Sequence, residues 1–128
     1  MTVFGPLGPS LAPVIKARRG TYKWFKPFAQ WYAGLMGYRR LGLKYDDLLV
    51  EERPDVQRAL GRLTQSETYD RSFRFKRASQ ASILHADLPP SQWTPASEDV
   101  RYLKPHVESV VAENTERQVW DTMGVQRK

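Results

Sequence analysis

Apolar and polar positions along the 128 residues follow a helical period, and no stretch of useful length alternates with the two-residue period of a strand. Residues 22–36 (YKWFKPFAQWYAGLM) carry the strongest pattern. Trp24, Phe28, Trp31 and Leu35 recur on one helical face, and Phe25, Ala29, Tyr32 and Met36 fill the face beside it. Six aromatics within residues 22–32 leave little polar circumference. A helix of this kind needs cover from a core, a partner or a membrane boundary. A chain of this length has little interior to offer it. Pro27 is expected in the first turn, where its missing N–H costs little, and Gly37 is expected to end the helix as a left-handed terminating glycine.

The remaining elements follow from punctuation. MTVFGPLGPSLAP carries three prolines and two glycines and predicts an irregular arm. VIKARR (14–19) predicts a short helix broken by Gly20 and Thr21, with Thr21 as the next N-cap. Arg53-Pro54-Asp55 opens a short amphipathic helix bearing Val56, Leu60 and Leu63. Thr64 and Glu67 have capping-box spacing and open a longer helix to about residue 86, with Tyr69 and Phe73 one turn apart and Ile83 and Leu84 near its end. Leu88-Pro89-Pro90 stops it, and a proline-rich loop around Trp93 follows. Pro105 starts a last helix to about residue 122, bearing Val107, Val110 and Val111 and turning polar after Ala112. The expected fold is all-α, with four to five helices in an open arrangement. An arm over residues 1–21, with its short helix, precedes a single helical domain over residues 22–128.

Charge changes this picture more than composition does. The net charge is +6, but residues 1–45 hold eight bases (Lys16, Arg18, Arg19, Lys23, Lys26, Arg39, Arg40 and Lys44) and no acid. All fourteen acids lie beyond, with the other twelve bases. An acid-free, aromatic, basic front suits anionic lipid, nucleic acid or an acidic partner, and it also has the composition of a mitochondrial import signal. No run of about 18 uncharged apolar residues predicts a spanning helix.

Catalytic chemistry is hard to assemble. There is no cysteine, which removes thiol nucleophiles, disulfides and thiolate metal sites. His85 and His106 stand apart from any carboxylate at ligand spacing. Asp46-Asp47 and Glu51-Glu52 are adjacent pairs, so on a helix their side chains diverge by about 100° rather than face each other. Asp46 or Asp47 reads better as a helix-capping charge on a solvated turn. No phosphate-binding glycine loop or nucleophile elbow occurs. YDRSFRFKR (69–77) interleaves Arg71, Arg74, Lys76 and Arg77 with Phe73 and Phe75. That pattern serves a nucleic-acid-binding surface or an amphipathic helix against an acidic partner.

Six stretches in order carry a resemblance: GYRRLGLKYDDLL (37–49), EERP (51–54), ALGRL (59–63), YDRSFRFKRA (69–78), LPPSQWT (88–94) and YLKPHVESV (102–110). Over roughly residues 22–122 the chain resembles the 14 kDa subunits, fungal subunit 7, of mitochondrial ubiquinol–cytochrome c reductase, the cytochrome bc1 complex or complex III. Gly61 and Thr64 depart from the family, which usually has arginine and proline there; the capping box then stands in for the proline. Residues 1–20 match little. The resemblance implies an all-helical, cofactor-free, non-catalytic accessory subunit that carries no metal. Its expected place is peripheral, on the matrix side of the inner membrane, against cytochrome b, the core subunits and other small subunits, where it supports assembly and stability. The contrasting reading from charge alone is a free basic nucleic-acid-binding helical module. For the subunit, the expected partner- or lipid-contact residues are Trp24, Phe28, Trp31, Tyr38, Arg39, Arg40, Lys44, Arg74, Arg77 and Trp93. Cardiolipin is the anionic phospholipid that location implicates. Asp46, Asp47, Glu51 and Glu52 are candidates for proton uptake toward a quinone-reduction site in cytochrome b. The sign change between Lys44 and Asp46 is expected to divide a membrane-proximal part from a matrix-exposed part.

Overall fold

The computed structural model describes residues 5–8 and 10–124; the rest of the expected arm, residues 1–4 and Pro9, and the last four residues of the expected helical domain lie outside the described residues. Among the described residues five α-helices occur in order: α1 (Ala12–Ala17), α2 (Arg19–Leu35), α3 (Pro54–Leu60), α4 (Gln65–Ile83) and α5 (Lys104–Thr122). Short 3-10 turns at Tyr38–Leu41, Tyr45–Leu48 and Pro90–Gln92 fill the connections, and no strand is present among the described residues. The all-α expectation is met.

Local signals set most of these boundaries. Pro54 and Pro105 sit in the first turns of α3 and α5, where an N–H would have no partner. Thr64 and Glu67 form the reciprocal capping box: Thr64 N–H donates to Glu67 Oε2 at 3.0 Å, and Glu67 N–H donates to Thr64 Oγ1 at 3.4 Å. Gly37 follows α2 with φ of 73°, the left-handed conformation that a side chain resists.

The first two helices depart from expectation. The break falls at Arg18, whose extended ψ of 101° separates α1 from α2, so Gly20 and Thr21 lie inside α2. Thr21 is not an N-cap: its hydroxyl donates back to the Arg18 carbonyl at 2.8 Å and closes the corner. Pro27 is interior to α2 rather than in its first turn. Starting the helix at Arg19 adds a turn ahead of the proline, which then leaves the Lys23 carbonyl without its helical N–H donor.

The core is small and lies between α3 and α5. Val56, Ala59, Leu103, Val107 and Val110 are fully buried there, and Leu49, Leu60, Leu63, Tyr102 and Val111 pack around them. Leu7 joins this cluster, so the arm is not loose where it passes α5. A second cluster joins Tyr38 and Leu43 to Ala78 of α4. By contrast α2 buries no residue at all. α5 also continues past its core contacts with Val119 and Trp120 exposed, an apolar end that its otherwise polar sequence there does not advertise.

Candidate functional site

The stretch that joins α2 to α3 is the hub of the body. Its 3-10 turn Tyr45–Leu48 points Asp46 and Asp47 inward, and both carboxylates are buried. Asp46 Oδ2 accepts the backbone N–H groups of Leu103 and Lys104 at 2.9 and 3.0 Å. Leu103 is the N-cap of α5 and has no capping side chain of its own, so Asp46 caps that helix from across the fold. Its other oxygen receives Arg101, whose guanidinium also lies over the Tyr45 ring at 4.4 Å.

Asp47 collects more donors. Arg74 reaches both of its oxygens, from Nε at 2.7 Å and Nη2 at 2.9 Å, in the two-pronged geometry that a guanidinium favours. Arg71 donates at 3.0 Å, Tyr102 donates through its hydroxyl, and the Lys44 N–H donates at 2.9 Å. Arg71 also donates to Glu51 and to the Tyr102 hydroxyl. Burial pushes the Asp47 carboxyl up, but hydrogen bonds from Arg74, Tyr102 and the Lys44 backbone hold it below the usual carboxylate range. Burial, with the Asp47 hydrogen bond next, pushes the Tyr102 phenol up to about 12.

A third carboxylate completes the clamp. Asp99 accepts from Tyr38 Oη at 2.6 Å, from Arg39 Nε and Nη2 at 3.0 and 2.8 Å, and from the Tyr45 N–H at 2.8 Å. Burial opposes its charge, but these donors win and its pKa is lowered. Burial, then the Asp99 bond, pushes Tyr38 up to about 12. Backbone bonds from Leu88 N–H to the Arg40 carbonyl and Thr94 N–H to the Arg39 carbonyl tie the proline-rich loop to the same stretch.

Gly42 shows how closely the parts meet. It has φ of 71°, and the Arg77 guanidinium lies where a Cβ would stand, with Nη2 at 2.0 Å from that position and donating to the Gly42 carbonyl at 3.1 Å. Only glycine allows both the turn and the approach.

The expected contact residues therefore fall into three groups. Trp24, Phe28 and Trp31 are exposed on α2, and Trp24 retains 73% of its surface. Tyr38, Arg39, Arg74 and Arg77 instead serve the interior. Lys44 lies 5.8 Å from the centre of the Tyr102 ring, while Arg40 sits near Asp87 and over Trp93. Trp93 is partly exposed and donates through Nε1 to the Leu88 carbonyl. Asp46 and Asp47 do not lie on a solvated turn, as the charge pattern suggested; Glu51 and Glu52 do face solvent. The donors around Asp47 favour its ionised form.

The basic-aromatic stretch of α4 is explained in the same terms. Arg71 and Arg74, three residues apart, turn toward the hub on the face that also buries Ala78 and Ala81. Their donors are taken by carboxylates, and Arg71 and Arg77 also lie over the rings of Phe75 and Phe73. Lys76 stays at the surface, and Arg77 donates to the Gly42 carbonyl rather than to a carboxylate. Sequence reasoning set this row against nucleic acid or an acidic partner and missed that its carboxylates lie within the chain.

Residues 19–118 match the family model described as the ubiquinol–cytochrome c reductase complex 14 kDa subunit. The chain is 43% identical over 117 residues to cytochrome b-c1 complex subunit 7 of Neurospora crassa, spanning 91% of this chain and 95% of that one. It is 42% identical over 101 residues to the mitochondrial subunit 7 of Saccharomyces cerevisiae, covering 79% and 80% of the two chains. It is 39% identical over 98 residues to the Homo sapiens subunit 7, covering 77% and 87%. A match across the arginine–carboxylate hub, α2 and all of the core, together with relatives of similar length, places this chain in the family of ubiquinol–cytochrome c reductase 14 kDa subunits.

Proposed function

We propose that the chain is a non-catalytic accessory subunit of the mitochondrial cytochrome bc1 complex, held peripherally on the matrix side of the inner membrane. In this reading it contacts cytochrome b, the core subunits and neighbouring small subunits, and it supports assembly and stability of the complex. Anionic phospholipid, cardiolipin in that membrane, belongs to the same surroundings.

One observation supports a docked role most directly. α2 exposes Trp24, Phe28, Trp31, Tyr32 and Leu35, and no element among the described residues covers them. A contiguous apolar surface of this kind marks an interaction site. Among the described residues no helix is long and apolar enough to cross a membrane, so contact from one side is the arrangement in keeping with the chain's elements. The hub then has a structural purpose: it gives a body with a small core the rigidity of a platform.

The test is retrieval. The tagged full-length chain, extracted from membranes in mild detergent, is expected to bring down cytochrome b and the core subunits. Replacing Trp24, Phe28 and Trp31 by serine should lower the amount of assembled complex while the free chain keeps its helical circular dichroism. Retrieval of nucleic acid instead of these subunits, or unchanged assembly in the triple variant, would refute the proposal.

A further inference from the structure

α2 sorts its residues by angle more sharply than its composition suggests. At about 100° per residue, Arg19, Lys23, Lys26 and Gln30 fall within about 60° of one another. The opposite half of the circumference holds Trp31, Trp24, Leu35, Phe28, Tyr32, Phe25, Met36 and Tyr22, broken only by Thr21 and Ala29. Trp31 and Tyr22 stand at the two borders. Their rings have an apolar body and a polar tip, which suits the water–hydrocarbon boundary.

The charges on this helix differ from those of the body. No ion pair among the described residues uses Arg19, Lys23 or Lys26. No acid within residues 1–45 could neutralise them locally. The body's arginines at 39, 62, 71, 74 and 101 are all paired. A groove of about 230 Å3 between α1 and α2, walled by Ile15, Tyr22, Phe25 and Ala29, adds apolar surface along one border.

We propose that α2 binds anionic lipid bilayers directly, lying in the plane of the interface with its aromatic half in the acyl boundary and Arg19, Lys23 and Lys26 among the phosphate headgroups. A protein groove selects a narrow row of anchors at i, i+3, i+4 and i+7. Here the apolar arc spans about half the helix, and the only charged side chains on the remainder are the cations Arg19, Lys23 and Lys26, beside Gln30 and small residues, which is the form of an interfacial helix. At 17 residues the helix is about 25 Å long and carries three charges, so it lies on the membrane rather than through it. The inference deepens the subunit reading, which supplies the membrane concerned.

The experiment uses the full-length chain and sedimented vesicles of phosphatidylcholine alone or mixed with phosphatidylglycerol. Trp93→Phe and Trp120→Phe leave Trp24 and Trp31 as the only indoles. Binding to the anionic vesicles, with a blue shift of indole emission and weakening by salt, is expected. Each lysine near an anionic surface is worth about five-fold, so Lys23→Gln with Lys26→Gln should weaken binding about 25-fold. Should the double variant lose its helical signal, Lys23→Gln alone is read for about five-fold. Failure to bind anionic vesicles, or binding indifferent to these lysines, overturns the inference. Retrieval of the complex in that case leaves the subunit reading intact and assigns the aromatic half to a protein partner. Vesicle binding without retrieval of the complex sinks the subunit reading and spares this one.

Discussion

α2 and α4 are helices of similar length, 17 and 19 residues, that solve opposite problems. α2 is aromatic and buries nothing. α4 is strongly polar and yet anchors the body, because Arg71 and Arg74 point inward to buried carboxylates. The usual distribution of apolar inside and charged outside is inverted in both. The lesson is that hydrophobicity says how much cover a helix needs, while pairing decides whether its charges can be covered. An aromatic face left open is an unfinished interface. A charge turned inward is stable only when each donor and acceptor is matched.

The contrast breaks most severely at Asp47. Asp47→Ala leaves Arg71, Arg74 and Tyr102 without their shared acceptor, and loss of one member of a buried ion network costs about 3–5 kcal/mol. Urea unfolding of the full-length chain should show a much lower midpoint, since a domain of this size has about 5–15 kcal/mol in all.

pH acts on the same network from both sides. Asp47 and Asp99 have depressed pKa values in the folded chain, so their contribution is present above the ordinary carboxylate pKa of about 4 and is lost as pH falls below it. Tyr38 and Tyr102 are raised to about 12, so their contribution is present below the usual phenol value of about 10 and is lost as pH rises from there to about 12. Thermal melting should therefore show a plateau bounded by an acid and an alkaline fall, each blunted by Asp99→Asn.

Smaller effects sharpen the comparison. Gly42→Ala forces a side chain into left-handed backbone, at about 1–2 kcal/mol, and displaces the Arg77 guanidinium from the Gly42 carbonyl. Thr64→Ala removes the α4 cap and should cost about 1 kcal/mol in the same unfolding assay. Trp24→Ala or Trp31→Ala should change the stability of the free chain by no more than about 0.5 kcal/mol, as at any exposed position. A large loss at Trp24 would mean that α2 is already covered within the chain.

Much of this fold was legible because its signals are local. Pro54, Pro105, Gly37 and the Thr64–Glu67 box each act within one turn of helix, and the valine spacing of α5 marks its buried face. The hub was not legible for the opposite reason. Asp46 caps a helix 57 residues further along, and Asp99 gathers Tyr38 and Arg39 from 61 and 60 residues back. Sequence spacing carries no trace of such partners, so an acid pair and an arginine row looked like surface. The break at Arg18 was misplaced because Gly20 is a weaker obstacle to a helix than its propensity implies when aromatic spacing continues beyond it.

Hydrogen exchange along α2 tests the central claim most directly, comparing the free full-length chain with the cytochrome bc1 complex held in lipid nanodiscs. The account predicts that amides of residues 19–35 exchange fast in the free chain and become protected in the complex, while α5 next to Val107 and Val110 is protected in both. Strong protection of α2 in the free chain, or fast exchange that persists in the complex, would contradict it.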